Sequence, residues 1–78
     1  MDTWVSIYEK LPFNWQDVLI TIYTNNTYKV VSGFFTVNGD YVPNIKVPGG
    51  YFCIDDEKYD IYSCDIVAWM PFPEPLER

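Results

Sequence analysis

Apolar and polar residues change their period several times along this chain, and each change marks a structural boundary. From Val18 to Tyr23 the alternation has period two, with Val18, Ile20 and Ile22 on one face and Leu19, Thr21 and Tyr23 on the other, which predicts a strand. Asn25-Asn26 follows, a pair that tolerates positive φ, and a return strand from Tyr28 to Val37 predicts a hairpin. A loop centred between the two asparagines sets Ile20 opposite Val31 and Val18 opposite Gly33, with Phe35 on the same face. One coherent apolar surface results.

Asn38-Gly39 carries the strongest hairpin signal in the chain, because a type I′ turn needs positive φ at both central residues. It would turn Phe35 to face Val42. The third strand is short because Pro43 and Pro48 each lack an amide donor, which confines that segment to a sheet edge or a loop. Gly49-Gly50 punctuates the chain before Tyr51 to Ile54, which reads as another strand. Asp55-Asp56-Glu57-Lys58 reads as a polar turn, and the last strand is predicted from about Tyr59 to Met70. Within it Tyr62, Cys64, Ile66, Ala68 and Met70 alternate with Ile61, Ser63, Asp65, Val67 and Trp69, and the even set is predicted to face the core. Pro71, Pro73 and Pro75 end the sheet in an extended, polyproline-like tail.

Ahead of these strands, Ser6-Ile7-Tyr8-Glu9 has the spacing of a capping box, in which Ser6 accepts from the amide of Glu9. It opens a turn or two of helix that Pro12 stops. The expected fold is therefore mostly β: a small twisted antiparallel sheet or open barrel of about five strands with one short N-terminal helical turn. At 78 residues the chain forms one domain, 1–78. A chain this short needs a core dense in large side chains, and a 19% aromatic content meets that need without a metal or crosslink. Trp4 and Trp69 are assigned to the core, with Trp69 packing on the proline tail.

Eleven carboxylates against five Lys and Arg leave a net charge of −6. Nucleic acid and anionic membranes should repel such a chain, and a protein partner drawn by charge would present a basic surface. No leader-like N-terminus and no apolar stretch of membrane-spanning length appears, and two cysteines are too few for a secreted disulfide framework. The expected location is the cytoplasm, so Asn25-Asn26-Thr27 is read as a turn rather than as a glycosylation acceptor.

The two ends of the chain follow a pattern. The opening is Trp4-Val5-Ser6-Ile7-Tyr8-Glu9-Lys10-Leu11-Pro12 followed by Val18-Leu19, and the closing is Trp69-Met70-Pro71-Phe72-Pro73-Glu74-Pro75. In these the chain resembles an uncharacterised family common in tailed phages and prophages, domain of unknown function five-five-one. Its members open with Trp-x-Ser-Val-x-x-x-Leu-Pro and close with Trp-Met-Pro-Leu-Pro-Glu-Pro. Phe72 departs from the closing leucine, and Val67-Ala68 stands where many members carry Thr-His, so a role resting on that imidazole does not transfer. The resemblance implies a phage or prophage origin and no established activity.

Candidate chemistry is sparse. The chain has no histidine, which removes Ser-His and Cys-His nucleophilic catalysis. Asp55 and Asp56 form a carboxylate pair, but acid-base work needs a deep, dry cleft that a thin sheet seldom supplies. No enzyme and no cofactor is expected. Cys53 and Cys64 do not complete a zinc shell. A final hairpin turning between Lys58 and Tyr59 would place them face to face; one turning between Asp56 and Glu57 would set Cys53 opposite Asp60. The default is two buried thiols. The acidic stretch with Asp60 and Asp65 lacks the glycine and spacing of an EF-hand, so no calcium site is expected.

The partner-binding candidates are Asp55, Asp56, Glu57, Tyr59 and Asp60, an acidic rim interleaved with Tyr51, Tyr59 and Tyr62. The function expected is that of a small acidic phage protein acting stoichiometrically on a host protein with a basic surface, including anti-CRISPR-like inhibition of a nucleic-acid-directed defence complex. It would not contact nucleic acid or membrane directly. The alternative is a phage structural or accessory module that self-associates through a sheet edge.

Overall fold

The computed structural model describes residues 3–55 and 63–73. They form a single antiparallel sheet of six strands, curled into a half-barrel. The strands are β1 (Val5–Ser6), β2 (Asp17–Thr24), β3 (Thr27–Thr36), β4 (Ile45–Val47), β5 (Gly50–Ile54) and β6 (Asp65–Pro71), in the spatial order β1-β6-β2-β3-β5-β4. Ser6 opens a single hydrogen-bonded turn, its carbonyl accepting from the amides of Glu9 (3.0 Å) and Lys10 (3.2 Å). Its hydroxyl accepts from the amide of Tyr8 (3.2 Å), not from Glu9. The turn does not propagate, because Leu11-Pro12 follows at once.

The β2–β3 hairpin has the expected register, Ile20 facing Val31 and Val18 facing Gly33. Asn25 and Asn26 have φ of 49° and 61°, the positive pair that a two-residue type I′ turn requires. Val18, Ile20 and Ile22 are fully buried and meet Val31, Phe35, Phe52 and Trp69 in the core; the Phe35 and Phe52 rings pack edge to face at 5.1 Å. Burying a side chain of this size contributes roughly 1.5–3 kcal/mol. This inner face supplies most of the stability.

Asn38-Gly39 does not form the expected hairpin. Asn38 accepts the amide of Asp40 on its own side-chain oxygen (3.0 Å) and that of Tyr41 on its carbonyl (3.3 Å), so it opens a turn at the first position instead of bending at the second. Phe35 consequently faces Phe52, not Val42. The tight turn falls at Pro48-Gly49, where Gly49 has φ 99° and joins β4 to β5 through the pair Val47 and Gly50. The segment between the two prolines is indeed an edge strand, β4.

Further expectations are corrected, on the last strand and on Trp4. β6 does not pair with β5; it returns to lie beside β2, giving β6-β2-β3-β5 the order of a Greek key. Among the described residues neither proposed final pairing is present: Cys53 faces Phe34, Cys64 precedes β6, and both proposed turns and Asp60 lie outside the described residues. In addition, Thr21 pairs with Ala68 but Ile22 pairs with Ile66, leaving Val67 as an unpaired bulge. Ile66 faces inward before the bulge and Trp69 after it, so the even residues do not hold the core face throughout. Met70 is buried beside Leu19, opposite the core. Trp69 lies in the core as expected, but its indole donates to the Lys10 carbonyl (2.8 Å), while Trp4 is 40% exposed.

Candidate functional site

The face of the sheet away from the core carries Leu19, Phe34, Cys53 and Met70, large for a solvent side, and two loops lean over it. The first, residues 11–16, bends through a turn in which Gln16 donates to the Phe13 carbonyl (3.0 Å) and accepts the Phe13 amide on Oε1 (2.8 Å). It is sewn to β3 by Trp15 N–H to the Phe35 carbonyl (2.6 Å) and Phe35 N–H to the Gln16 carbonyl (3.1 Å). These bonds hold Trp15 at φ 67°, a left-handed conformation that costs a bulky residue roughly 1–2 kcal/mol. Backbone strain of this kind is worth following to the side chain it aims.

The second loop, residues 37–44, is built by asparagines. Asn44 donates to the carbonyls of Gly39 (3.2 Å) and Tyr41 (2.7 Å), and the Asn14 side chain accepts the amide of Val37 (3.0 Å), joining the loops. Their rings meet over β3. Trp15 stacks on Phe34 at 5.8 Å, and Tyr41 stands edge-on to both, at 5.3 Å from Trp15 and 5.2 Å from Phe34. Trp15 and Tyr41 nevertheless remain about half exposed, flanked by exposed Phe13, Val37 and Val42. Isolated exposed apolar residues are ordinary, but here the rings of Trp15, Phe34 and Tyr41 form one connected group.

Beside this group lies an open cleft of about 270 Å³ lined by Asp17, Ser32, Gly33, Asp55 and Phe72. Asp17 faces Phe34 across the β2–β3 ladder, so cleft and rings share one surface. The Ser32 hydroxyl donates to Asp55 Oδ2 (3.4 Å), the Asp55 amide donates to the Ser32 carbonyl (3.0 Å), and the Phe72 amide donates to the Asp17 carbonyl (3.4 Å). The lining thus sets two carboxylates and a hydroxyl beside one aromatic ring, that of Phe72. A second cleft, of about 250 Å³, opens between the N-terminal turn, β4 and the start of β6 and includes Lys46 and Asp65.

Of the partner-binding candidates, Asp55 is exposed and lies in the first cleft. Asp56, Glu57, Tyr59 and Asp60 lie outside the described residues. Asp17, Ser32, Phe72, Trp15, Phe34 and Tyr41 were not anticipated, although Phe34 beside Phe35 is a signal that both faces of β3 are covered. Cys53 and Cys64 are both thiols, on opposite faces of the sheet. Burial raises the Cys53 pKa above its ordinary 9.0, and the nearby Asp55 charge adds to the shift. Among the described residues, no group of three or more acidic or thiol side chains could hold a metal ion.

No curated protein and no solved structure matches this chain. A family model does, over residues 3–77, nearly the full length and including both terminal motifs. The chain belongs to the family described as Protein of unknown function (DUF551).

Proposed function

We propose that this protein is a small, acidic, non-catalytic binding domain that acts stoichiometrically on a host protein with a basic surface. The observation that carries this reading is the half-exposed Trp15 and Tyr41 rings beside the carboxylates of Asp17 and Asp55. Aromatic side chains supply desolvated contact area, and the net charge of −6 steers a basic partner toward it. The resemblance of the chain ends to phage sequences supports a phage-encoded origin, and with it inhibition of a nucleic-acid-directed defence complex. Such complexes present basic clefts that an acidic domain can occupy.

Self-association through a sheet edge has less to build on. The terminal strands of the sheet are β1, of two residues, and β4, of three between prolines, and such short ladders are poor templates for another chain.

Affinity capture from host lysate, followed by binding kinetics with the purified partner at several salt concentrations, tests the proposal. Replacing Asp55, Asp56, Glu57 and Asp60 by Asn or Gln should slow association and flatten its salt dependence. Replacing Tyr59 by Ala should instead speed dissociation. A concentration-dependent oligomer with no captured partner would favour the structural module, and unchanged kinetics in the acid-replaced variant would remove the basic-surface argument.

A further inference from the structure

The geometry points to the Asp17–Asp55 cleft as a receptor for an arginine side chain of a basic protein partner, with the guanidinium between the carboxylates and its plane against the neighbouring rings. This deepens the proposed function and rests on it for the identity of the partner class. Four observations converge. Asp17 and Asp55 line one cleft from two different elements, and among the described residues no lysine or arginine lines it with them. Among the described residues, the Asp55 carboxylate accepts one hydrogen bond, from Ser32, which orients it and leaves capacity on a group with about four lone-pair sites. Phe72 forms part of the wall, and the Trp15–Phe34 stack begins one cross-strand pair away, at the Asp17–Phe34 pair. The strained φ of Trp15 keeps its indole in that stack.

Arginine suits these features better than lysine. Its planar guanidinium carries five donors in a rigid fork, can bridge two carboxylates, and stacks on aromatic faces, whereas an ammonium is a strongly hydrated point charge. Two carboxylates lining one cleft suit a ligand that carries several donors.

The test is a titration of the ¹⁵N-labelled full chain with a short blocked peptide of alternating glycine and arginine. The same peptide with citrulline, which keeps the shape and loses the charge, and with lysine serve as comparisons. The arginine peptide should shift the Trp15 indole and the Ser32 and Phe72 amides, with the lysine peptide binding more weakly and the citrulline peptide not at all. Asp17→Asn with Asp55→Asn should weaken binding about tenfold or more. Glu9→Gln with Asp65→Asn removes the same charge elsewhere and should change it by less than about twofold. If the double cleft variant does not fold, Asp17→Asn alone should weaken binding about threefold.

Equal weakening by both charge-matched variants, equal binding of the citrulline peptide, or shifts remote from Trp15, Ser32 and Phe72 overturns the assignment. The two levels of the argument separate cleanly. A salt-sensitive complex with a basic protein, without arginine binding in the cleft, removes the cleft and leaves the function. Arginine binding in the cleft without any such complex does the reverse.

Discussion

The indole of Trp69 on β6 donates its hydrogen bond to the carbonyl of Lys10, at 2.8 Å, across 59 residues of sequence. The N-terminal turn is thereby pinned to a core strand distant in sequence. Trp69→Phe keeps an aromatic ring but removes the donor, and should cost about 1–3 kcal/mol of stability in urea denaturation, from the lost bond and reduced volume. Amide exchange at Glu9 and Lys10 should accelerate more than at β2. Uniform acceleration would mean that the turn is held by something else.

At Gly33 the backbone of β5 lies close against β3. A Cβ there would sit 2.1 Å from the Cys53 carbonyl oxygen, a backbone atom that cannot swing aside. Gly33→Ala should therefore cost about 2 kcal/mol or more in chemical denaturation. At Gly39 the obstructing atom is the Tyr51 hydroxyl, 2.7 Å away at the end of a side chain, so Gly39→Ala should cost clearly less. The reverse order of stabilities would contradict the described pairing of Gly33 with Ile54.

Trp15 separates strain from ring contact. Trp15→Ala loses the rings and keeps a residue that resists φ 67°, whereas Trp15→Gly loses the same rings and relaxes the backbone. The glycine variant should be the more stable of the two by about 1 kcal/mol. Thermal melting of both compares them directly. Both should weaken the proposed partner binding equally.

Cys53 gives the protein an alkaline sensitivity. Its thiol pKa is raised in the folded state, through burial first and Asp55 second, so the folded chain holds this proton more tightly than the unfolded chain. The stability this contributes is fully present below the unfolded pKa, near the ordinary 9.0, and is lost as pH rises through the higher folded value. Between pH 8 and the onset of alkaline unfolding, Cys53→Ala should therefore lose stability less steeply than the parent chain. Iodoacetamide should also label Cys53 more slowly than a solvent-exposed thiol at the same pH. Equal slopes would show that the thiolate is accommodated after all.

The β2–β3 hairpin was legible in the sequence because its register depends on local facts: a period-two pattern on each side and two asparagines that accept positive φ. β4 was legible as an edge because Pro43 and Pro48 bound it. The partner of β6 was not, since nothing in Cys64–Met70 distinguishes a neighbour at β5 from one at β2. The choice is made by non-local packing of Trp69 against Ile20 and the N-terminal turn. Asn38-Gly39 misled because an asparagine can serve a turn through its side chain as readily as through its own φ. Of the site, Asp55 was anticipated from its acidic neighbours. Asp17 was not, because at the head of a strand it reads only as a polar boundary, and its nearness to Trp15 and Asp55 depends on loops held by Asn14, Gln16 and Asn44.

The bulge at Val67 has a consequence for how the chain can change in length. Ile66 and Trp69 both point into the core although three positions separate them, and the extra residue between them absorbs the mismatch. Removing Val67 would leave Ile66, Ala68 and Trp69 in simple in-out-in alternation, matched to Ile22, Thr21 and Ile20 without a step. Removing a residue of β6 outside the Ile66–Trp69 interval would instead turn half of the strand inside out. Val67 is thus the spare link of this strand, the position where a residue can be dropped without disturbing what lies on either side.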